Sequence, residues 1–119
     1  MADSQITTTL ETIDGIQLVH VSGPLDSVTH ESFKNFLEPL VNQNRTRVVL
    51  DCAKLTYVNS KGLALLGRFQ RLSMQNLSFL GIAGLNRHIT KTIELLGLSK
   101  LVKLYPTLDE AMAAARLLS

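Results

Sequence analysis

The segment Asn59-Ser60-Lys61-Gly62 places one hydroxyl between an amide side chain and a lysine. A serine where a strand passes into a helix occupies the position of a hydrolase nucleophile, but this segment lacks the first glycine of the G-x-S-x-G motif. The three histidines, His20, His30 and His88, are dispersed, and none stands at triad or metal-ligand spacing from a partner. We therefore expect no enzymatic activity and no metal site.

Nucleotide-binding loops are also absent from the sequence. Neither G-x-x-x-x-G-K-[ST] nor G-x-G-x-x-G occurs, which argues against a nucleotide enzyme and against a bound cofactor. The single cysteine, Cys52, lies in an apolar segment with Val48, Val49 and Leu50, so we expect a buried, inert thiol. The sequence thus predicts a binding surface rather than a reaction centre.

Charge is distributed unevenly along the chain, although the net charge is only +2. Residues 1–51 carry seven acids and three bases, whereas residues 52–93 carry six bases and no acid. A basic middle third favours an acidic protein, a phosphate or a nucleic acid as partner. With two Tyr, four Phe and no Trp there is little to stack on bases, so we expect no direct contact with nucleic acid.

Length and composition predict one domain over residues 1–119. The chain is 45% hydrophobic and 18% charged, as in ordinary globular proteins. It has no apolar run near the roughly 20 residues that cross a bilayer, and Met1 to Gln5 is too short and polar for a secretory leader. We expect a cytoplasmic protein without membrane insertion, present as a monomer or weak dimer.

The N-terminal part of the chain predicts a β-hairpin followed by a helix. A β-branched run, 6–13, and a segment that alternates apolar with polar or mixed positions, 16–21, flank Asp14-Gly15, a strong hairpin signal. Ser22-Gly23-Pro24 is expected to end the second strand. Pro39 predicts a kink or an early end in the helix that follows. That helix is indicated by apolar residues at helical spacing, namely Phe33, Phe36, Leu37, Leu40 and Val41.

The remainder alternates strands and helices. Residues 47–52 form a nearly unbroken apolar run typical of a central parallel strand, and Asn59-Ser60 offers an N-cap for a helix reaching about Met74. The order ββαβαβαβα predicts an α/β domain with a mixed, mostly parallel sheet, an N-terminal hairpin and about four helices. Further elements are a strand at 77–83, a helix from Ile89 that ends at Gly97, a strand at 101–104 and a last helix capped by Thr107 with Glu110.

The second helix has two distinct sides at 100° per residue. Its apolar side faces the predicted core, and its other side combines one hydroxyl, small residues and three bases, which suits a close-packed acidic partner or a phosphate. The alternative is an ordinary solvated face on which Ser60 serves only as an N-cap. The core side holds Leu63, Leu65, Leu66, Phe69, Leu72 and Met74, and the exposed side holds Ser60, Lys61, Ala64, Gly67, Arg68 and Arg71.

Two motifs resemble the STAS domain family, the domain of anti-sigma factor antagonists and of the cytoplasmic tails of sulphate transporters. Residues 22–29, Ser-Gly-Pro-Leu-Asp-Ser-Val-Thr, are similar to the family's G-x-L-D-x-x-T after the second strand. Residues 49–66 are similar to its strand, aromatic-apolar step and Asp-Ser-[Ser/Thr/Ala]-Gly-Leu helix start. The order of strands and helices agrees over essentially the whole chain.

The resemblance implies a phosphorylation site at Ser60, with Asp26 in the neighbouring loop and Gly62 permitting a tight turn into the helix. Two positions depart from the family: Asn59 replaces its aspartate, and Lys61 stands at its second hydroxyl position. If the chain uses the first hydroxyl, Ser60 is the acceptor, and if it uses the second, the site has been lost. Partner-binding positions are then Asp26, Asn59, Lys61, Gly62, Ala64, Gly67, Arg68 and Arg71.

The function that the resemblance implies is a bacterial anti-sigma factor antagonist that regulates transcription by partner switching. It would bind a histidine-kinase-like anti-sigma factor or switch kinase when unmodified, be released when Ser60 is phosphorylated, and be reset by a phosphatase. The alternative is a STAS adaptor or scaffold that is never phosphorylated, for example a subunit of a membrane lipid transport complex. Asn59 and Lys61 favour that alternative.

Overall fold

Five strands form one mixed sheet in the order β1-β2-β3-β4-β5 in the computed structural model, which describes residues 5–118. Residues 1–4 and 119 lie outside the described residues. They include both ends of the predicted domain and most of Met1 to Gln5, the segment considered above as a secretory leader. The elements are β1 (Thr7–Ile13), β2 (Ile16–Leu25), α1 (His30–Val41), β3 (Arg47–Val58), α2 (Ser60–Gln75), β4 (Phe79–Ala83), α3 (Arg87–Leu95), β5 (Leu104–Tyr105) and α4 (Leu108–Arg116).

The predicted order of elements and the α/β class are confirmed. β1 and β2 are antiparallel and meet at Asp14-Gly15, where both residues have positive φ as a tight two-residue turn requires. All other neighbours are parallel, and β3 is the middle strand of the sheet, as its apolar run predicted.

The predicted break at Ser22-Gly23-Pro24 is wrong, because β2 continues through it to Leu25. The pairing with β3 shifts register on either side of Gly23, as at a β-bulge, which accommodates a proline inside a strand. Gly23 has φ +101°, and a Cβ there would collide with the carbonyl oxygen of Gln5. β2 therefore ends beside Val58, the last residue of β3, and the two following loops begin side by side.

Helices cover both faces of the sheet. α1, α2 and α3 bury their apolar sides in one large cluster, in which Phe33 and Phe69 are in contact with ring centroids 6.0 Å apart. α4 packs on the opposite face through Ala111, Met112 and Ala115. No helix within residues 5–118 has the length and apolar character to cross a membrane.

Several predicted boundaries need correction. The early end expected at Pro39 does not occur, since α1 continues to Val41, where Asn42 N donates to the Glu38 carbonyl. β4 begins at Phe79 rather than residue 77, because Leu77 is exposed with φ +55° in the preceding turn.

The strand predicted at 101–104 begins only at Leu104 and ends at Tyr105, one residue beyond the predicted range. The residues before it form a short 3-10 turn, Leu98–Lys100, introduced by Gly97 in the left-handed conformation. The predicted cap of α4 is confirmed, since Thr107 Oγ1 accepts from Glu110 N.

Candidate functional site

The ends of β2 and β3 bring the two family-like motifs together. Leu25 is in register with Val58, and Asn59 N donates to the Leu25 carbonyl across 3.1 Å. The loop that starts at Asp26 and the start of α2 therefore lie against each other. This neighbourhood of Asp26 and Ser60 is what the sequence motifs predicted.

Asp26 builds the loop between β2 and α1. Its Oδ1 accepts from the backbone N of Val28 at 2.9 Å and of Thr29 at 3.1 Å. The Thr29 hydroxyl closes the loop by donating to the Pro24 carbonyl at 2.8 Å. Through these hydrogen bonds to Oδ1, Asp26 fixes the conformation of the loop beside α2.

Of the two residues predicted to offer the N-cap of α2, Asn59 is the one that provides it. Its Oδ1 accepts from Gly62 N at 3.0 Å, and its Nδ2 donates to Ser27 Oγ at 3.1 Å. Because Asn59 supplies the cap, the Ser60 hydroxyl is not used in capping. Ser60 is the first residue of the helix and is exposed.

Gly62 is buried where α2 passes close to the ends of β2 and β3. A Cβ at this position would lie 2.8 Å from the Leu25 carbonyl oxygen and 2.8 Å from Val58 Cγ1. The site therefore needs glycine for close approach inside the domain, and Gly62 offers no surface of its own.

The exposed side of α2 largely matches its prediction. Ser60, Lys61, Ala64, Arg68 and Arg71 are all exposed, and we call these five residues the α2 strip. They combine one hydroxyl, one methyl group and three bases on the outside of the domain.

Gly67 was predicted on this side, but it is buried, and Leu101 lies over it, 3.3 Å from where a Cβ would be. The prediction for Met74 is also wrong, since 57% of it is exposed. Gln70 and Ser73 are buried instead, with their polar atoms satisfied. Gln70 Oε1 accepts from Lys103 N at 3.0 Å, and the Ser73 hydroxyl donates to the Gln70 carbonyl at 2.8 Å.

One base of the α2 strip is paired within the domain. Arg68 donates from Nε and Nη2 to Glu38 Oε1 on α1, at 3.1 and 3.0 Å. Within residues 5–118, Lys61 and Arg71 form no ion pair. A shallow groove of about 370 Å³ runs between α1 and α2, with His30, Glu31, Lys34, Lys61 and Arg68 along it. Within the α2 strip, the bases free of an ion pair among residues 5–118 are therefore Lys61 and Arg71.

His20 has partners that the sequence analysis missed. Its Nδ1 lies 2.8 Å from Asp51 Oδ2 on β3, and its Nε2 lies 2.7 Å from Glu11 Oε2 on β1. The hydrogen bonds to Glu11 and then Asp51 raise the pKa of His20 above its ordinary value of 6.5. Strand pairing creates this arrangement, and only the register of His20 opposite Asp51 could have revealed it. The side chain of His20 on β2 therefore links β2 to both of its neighbours, β1 and β3.

Cys52 is fully buried, as predicted. Burial, with a smaller contribution from the neighbouring charge of Asp51, raises the pKa of its thiol to about 12. Among residues 5–118, no group of three or more His, Cys, Asp or Glu side chains is placed to hold a metal ion.

The chain is thus an α/β domain with a mixed sheet, an asparagine cap at the start of α2, a glycine where α2 approaches the strands, and an exposed basic strip. The STAS domain family model matches residues 7–111, and the chain belongs to the STAS domain family. This confirms the resemblance found in the two motifs.

The relatives include anti-sigma factor antagonists. The chain is 26% identical to the anti-sigma-F factor antagonist RsfB of Mycobacterium tuberculosis, over 97% of this chain and 93% of that protein. It is 32% identical to the crystal structure of an anti-sigma factor antagonist from Mycobacterium paratuberculosis, with a TM-score of 0.84 and coverage of 93% and 94%. A sulfate transporter family protein from Wolinella succinogenes shares the fold at 18% identity and a TM-score of 0.74, covering 91% and 90%.

Proposed function

We propose that this protein is an anti-sigma factor antagonist that binds a histidine-kinase-like anti-sigma factor through the α2 strip and is released when Ser60 is phosphorylated. The observation that carries the proposal is the exposure of Ser60 at the first position of α2, with Asn59 providing the cap. The similarity to RsfB over nearly the full length of both chains supports the class of function. The finer step, phosphorylation of Ser60, is our inference from the resemblance of residues 49–66 to the family motif, and the exposure of the hydroxyl supports it.

Accessibility makes Ser60 a suitable acceptor. A kinase must reach the hydroxyl without unfolding the domain, and Ser60 lies on the outside at the helix start. Its neighbour Lys61 is also exposed, so an incoming phosphoryl group meets a base rather than an acid. Asn59 adds no charge at the site, whereas an aspartate there would repel the phosphate.

A phosphate at Ser60 changes the strip without changing the fold. It adds about −1.5 to −2 charges at the N-terminal end of α2, where the helix dipole and Lys61 favour negative charge. At the interface with the partner, by contrast, the phosphate weakens binding. A partner whose acids are attracted by Lys61 and Arg71 meets like charge, and the phosphate must lose water on docking. Phosphorylation therefore favours release, and a phosphatase restores binding.

Incubation with ATP and the purified histidine-kinase-like anti-sigma factors of the source organism tests the proposal. We expect one of them to add a single phosphate to the protein, measured by intact mass, and peptide mapping to place it on Ser60. Ser60→Ala should abolish the modification, whereas Ser99→Ala, at another exposed serine, should leave it intact. Modification that persists in Ser60→Ala would overturn the assignment of the site.

A second candidate is a STAS adaptor that binds its partner constantly and is never phosphorylated. Lys61 favours it, because a base occupies the family's second hydroxyl position beside an asparagine that replaces the acid. The same incubation separates the two candidates. The adaptor predicts no added phosphate from any of the kinases and equal partner binding by the unmodified chain and by Ser60→Ala.

A further inference from the structure

A crevice of about 750 Å³ opens at the carboxyl ends of β4 and β5, and none of the residues that line it belongs to the α2 strip. Its walls come from the end of β4, one side of α3, the 3-10 turn after α3 and the end of β5. Its volume falls within the range of about 300–1,000 Å³ found for small-molecule sites. The Ser60 mechanism uses none of the residues that line it.

The topology of the sheet explains why a crevice lies here. The chain leaving β4 turns to α3, whose Ile89 and Ile93 pack on the face shared with α1 and α2. The chain leaving β5 turns to α4, which packs on the opposite face. Two adjacent parallel strands whose connections diverge leave a gap outside their carboxyl ends, and ligands of open α/β sheets bind in such gaps.

The walls of the crevice combine apolar and cationic side chains. Leu85 and Leu104 are partly exposed and supply an apolar surface, beneath which lies the buried Ile82. Arg87 and Lys91 are both exposed, and they stand one helical turn apart on α3. Within residues 5–118 neither of these two bases forms an ion pair, so their charges are available to a ligand.

Charge is arranged along the crevice as well. Arg87 begins α3, where the partial positive charge of the helix dipole adds to its own. Glu94 lines the crevice near the other end of α3, about two turns away. A ligand with one anionic end is therefore attracted at Arg87 and Lys91, whereas a second anionic end would be repelled by Glu94.

We propose that this crevice binds a small organic anion, with an apolar body against Leu85 and Leu104 and a single carboxylate or phosphate group held by Arg87 and Lys91. The site is independent of Ser60 phosphorylation, so it adds a small-molecule ligand to a domain otherwise expected to act through proteins.

Backbone amide NMR titrations of the full chain test this proposal. Phenyl phosphate and phenylacetate are the probes for the two anionic groups, and inorganic phosphate and benzyl alcohol are their half-ligand comparators. We expect at least one of the two probes to cause saturable shifts at residues 85–91 and 104–106. Each comparator should bind at least about tenfold more weakly than that probe, because it makes only one of the two sets of contacts.

Charge-matched variants distinguish this site from general attraction to a basic surface. The double variant Arg87→Gln/Lys91→Gln should weaken probe binding at least about tenfold. Lys61→Gln/Arg71→Gln removes the same charge from the α2 strip and should leave the affinity unchanged. Equal losses in both variants, the absence of saturable shifts with either probe, or shifts centred on α2 would overturn the proposal. Amide spectra confirm that each variant is folded.

Discussion

The Asn59 side-chain amide donates to the Ser27 hydroxyl across 3.1 Å and so joins the start of α2 to the loop after β2. The same side chain caps α2 through Gly62 N. An aspartate could accept both hydrogen bonds only if Ser27 reversed its role and became the donor. The asparagine thus has a structural use at a position where the family motif has an acid.

Asn59→Ala removes the cap of α2 and the link to Ser27. We expect a loss of about 1 kcal/mol in the free energy of unfolding, measured by urea denaturation, because Gly62 N loses its acceptor. Asn59→Asp is the matched control. It keeps the cap and gains charge at the helix N-terminus, so its stability should stay within about 0.5 kcal/mol of the parent. Equal losses in both variants would contradict the capping role.

The two glycines of α2 should respond differently to alanine. Gly62→Ala forces a Cβ to 2.8 Å from the Leu25 carbonyl oxygen, so we expect it to lower the free energy of unfolding by about 1–3 kcal/mol. Gly67→Ala meets only the flexible end of Leu101 at 3.3 Å, and alanine gains about 0.5–1 kcal/mol in a helix interior. It should be neutral or mildly stabilising in the same measurement. The reverse order would show that the packing around α2 has been misassigned.

Protonation of His20 should stabilise the fold. Its pKa is raised above 6.5 by Glu11 and then Asp51, so the folded state holds the proton more tightly than the unfolded chain. The stabilisation is fully present below about pH 6.5 and is lost as pH rises through the raised pKa of the folded state. Glu11 on β1 and Asp51 and Lys54 on β3 are the charged groups around this histidine.

Urea denaturation at several pH values measures this effect. The stability difference between the parent and His20→Gln should shrink as pH rises above 6.5, and His88→Gln is the control at an exposed histidine without such contacts. A difference that does not change with pH would mean that His20 contributes by packing alone.

Cys52 should be inert in the folded protein. Complete burial and a pKa of about 12 leave almost no accessible thiolate at neutral pH. We expect no reaction with a disulfide reagent until urea unfolds the chain, after which one thiol is released. Rapid labelling under native conditions would show that β3 opens far more readily than its central position implies.

The locally encoded parts of the fold were predictable from the sequence. The Asp14-Gly15 turn, the caps at Asn59 and Thr107 and the apolar run of β3 each rest on a few adjacent residues, and all were confirmed. The neighbourhood of Ser60 followed from two motifs at strand ends. These features need no knowledge of which strands become neighbours.

The features that the sequence analysis missed depend on distant partners. β2 passes through Pro24 because β3 pairs alongside it with a shifted register. Gly67 is buried, and Leu101 from the segment before β5 lies over it. His20 meets Asp51 across 31 residues of sequence only after β2 and β3 pair. The periodicity of apolar residues within one segment carries no information about which distant residues will contact that segment.

Partner affinity in the unmodified and modified forms tests the central claim most directly. The anti-sigma factor that phosphorylates the protein would be titrated by calorimetry with the parent, with Ser60→Asp and with Ser99→Asp as the control. We predict at least about tenfold weaker binding for Ser60→Asp alone, with unchanged far-UV circular dichroism. Equal affinity of the parent and the folded Ser60→Asp variant would contradict release by phosphorylation.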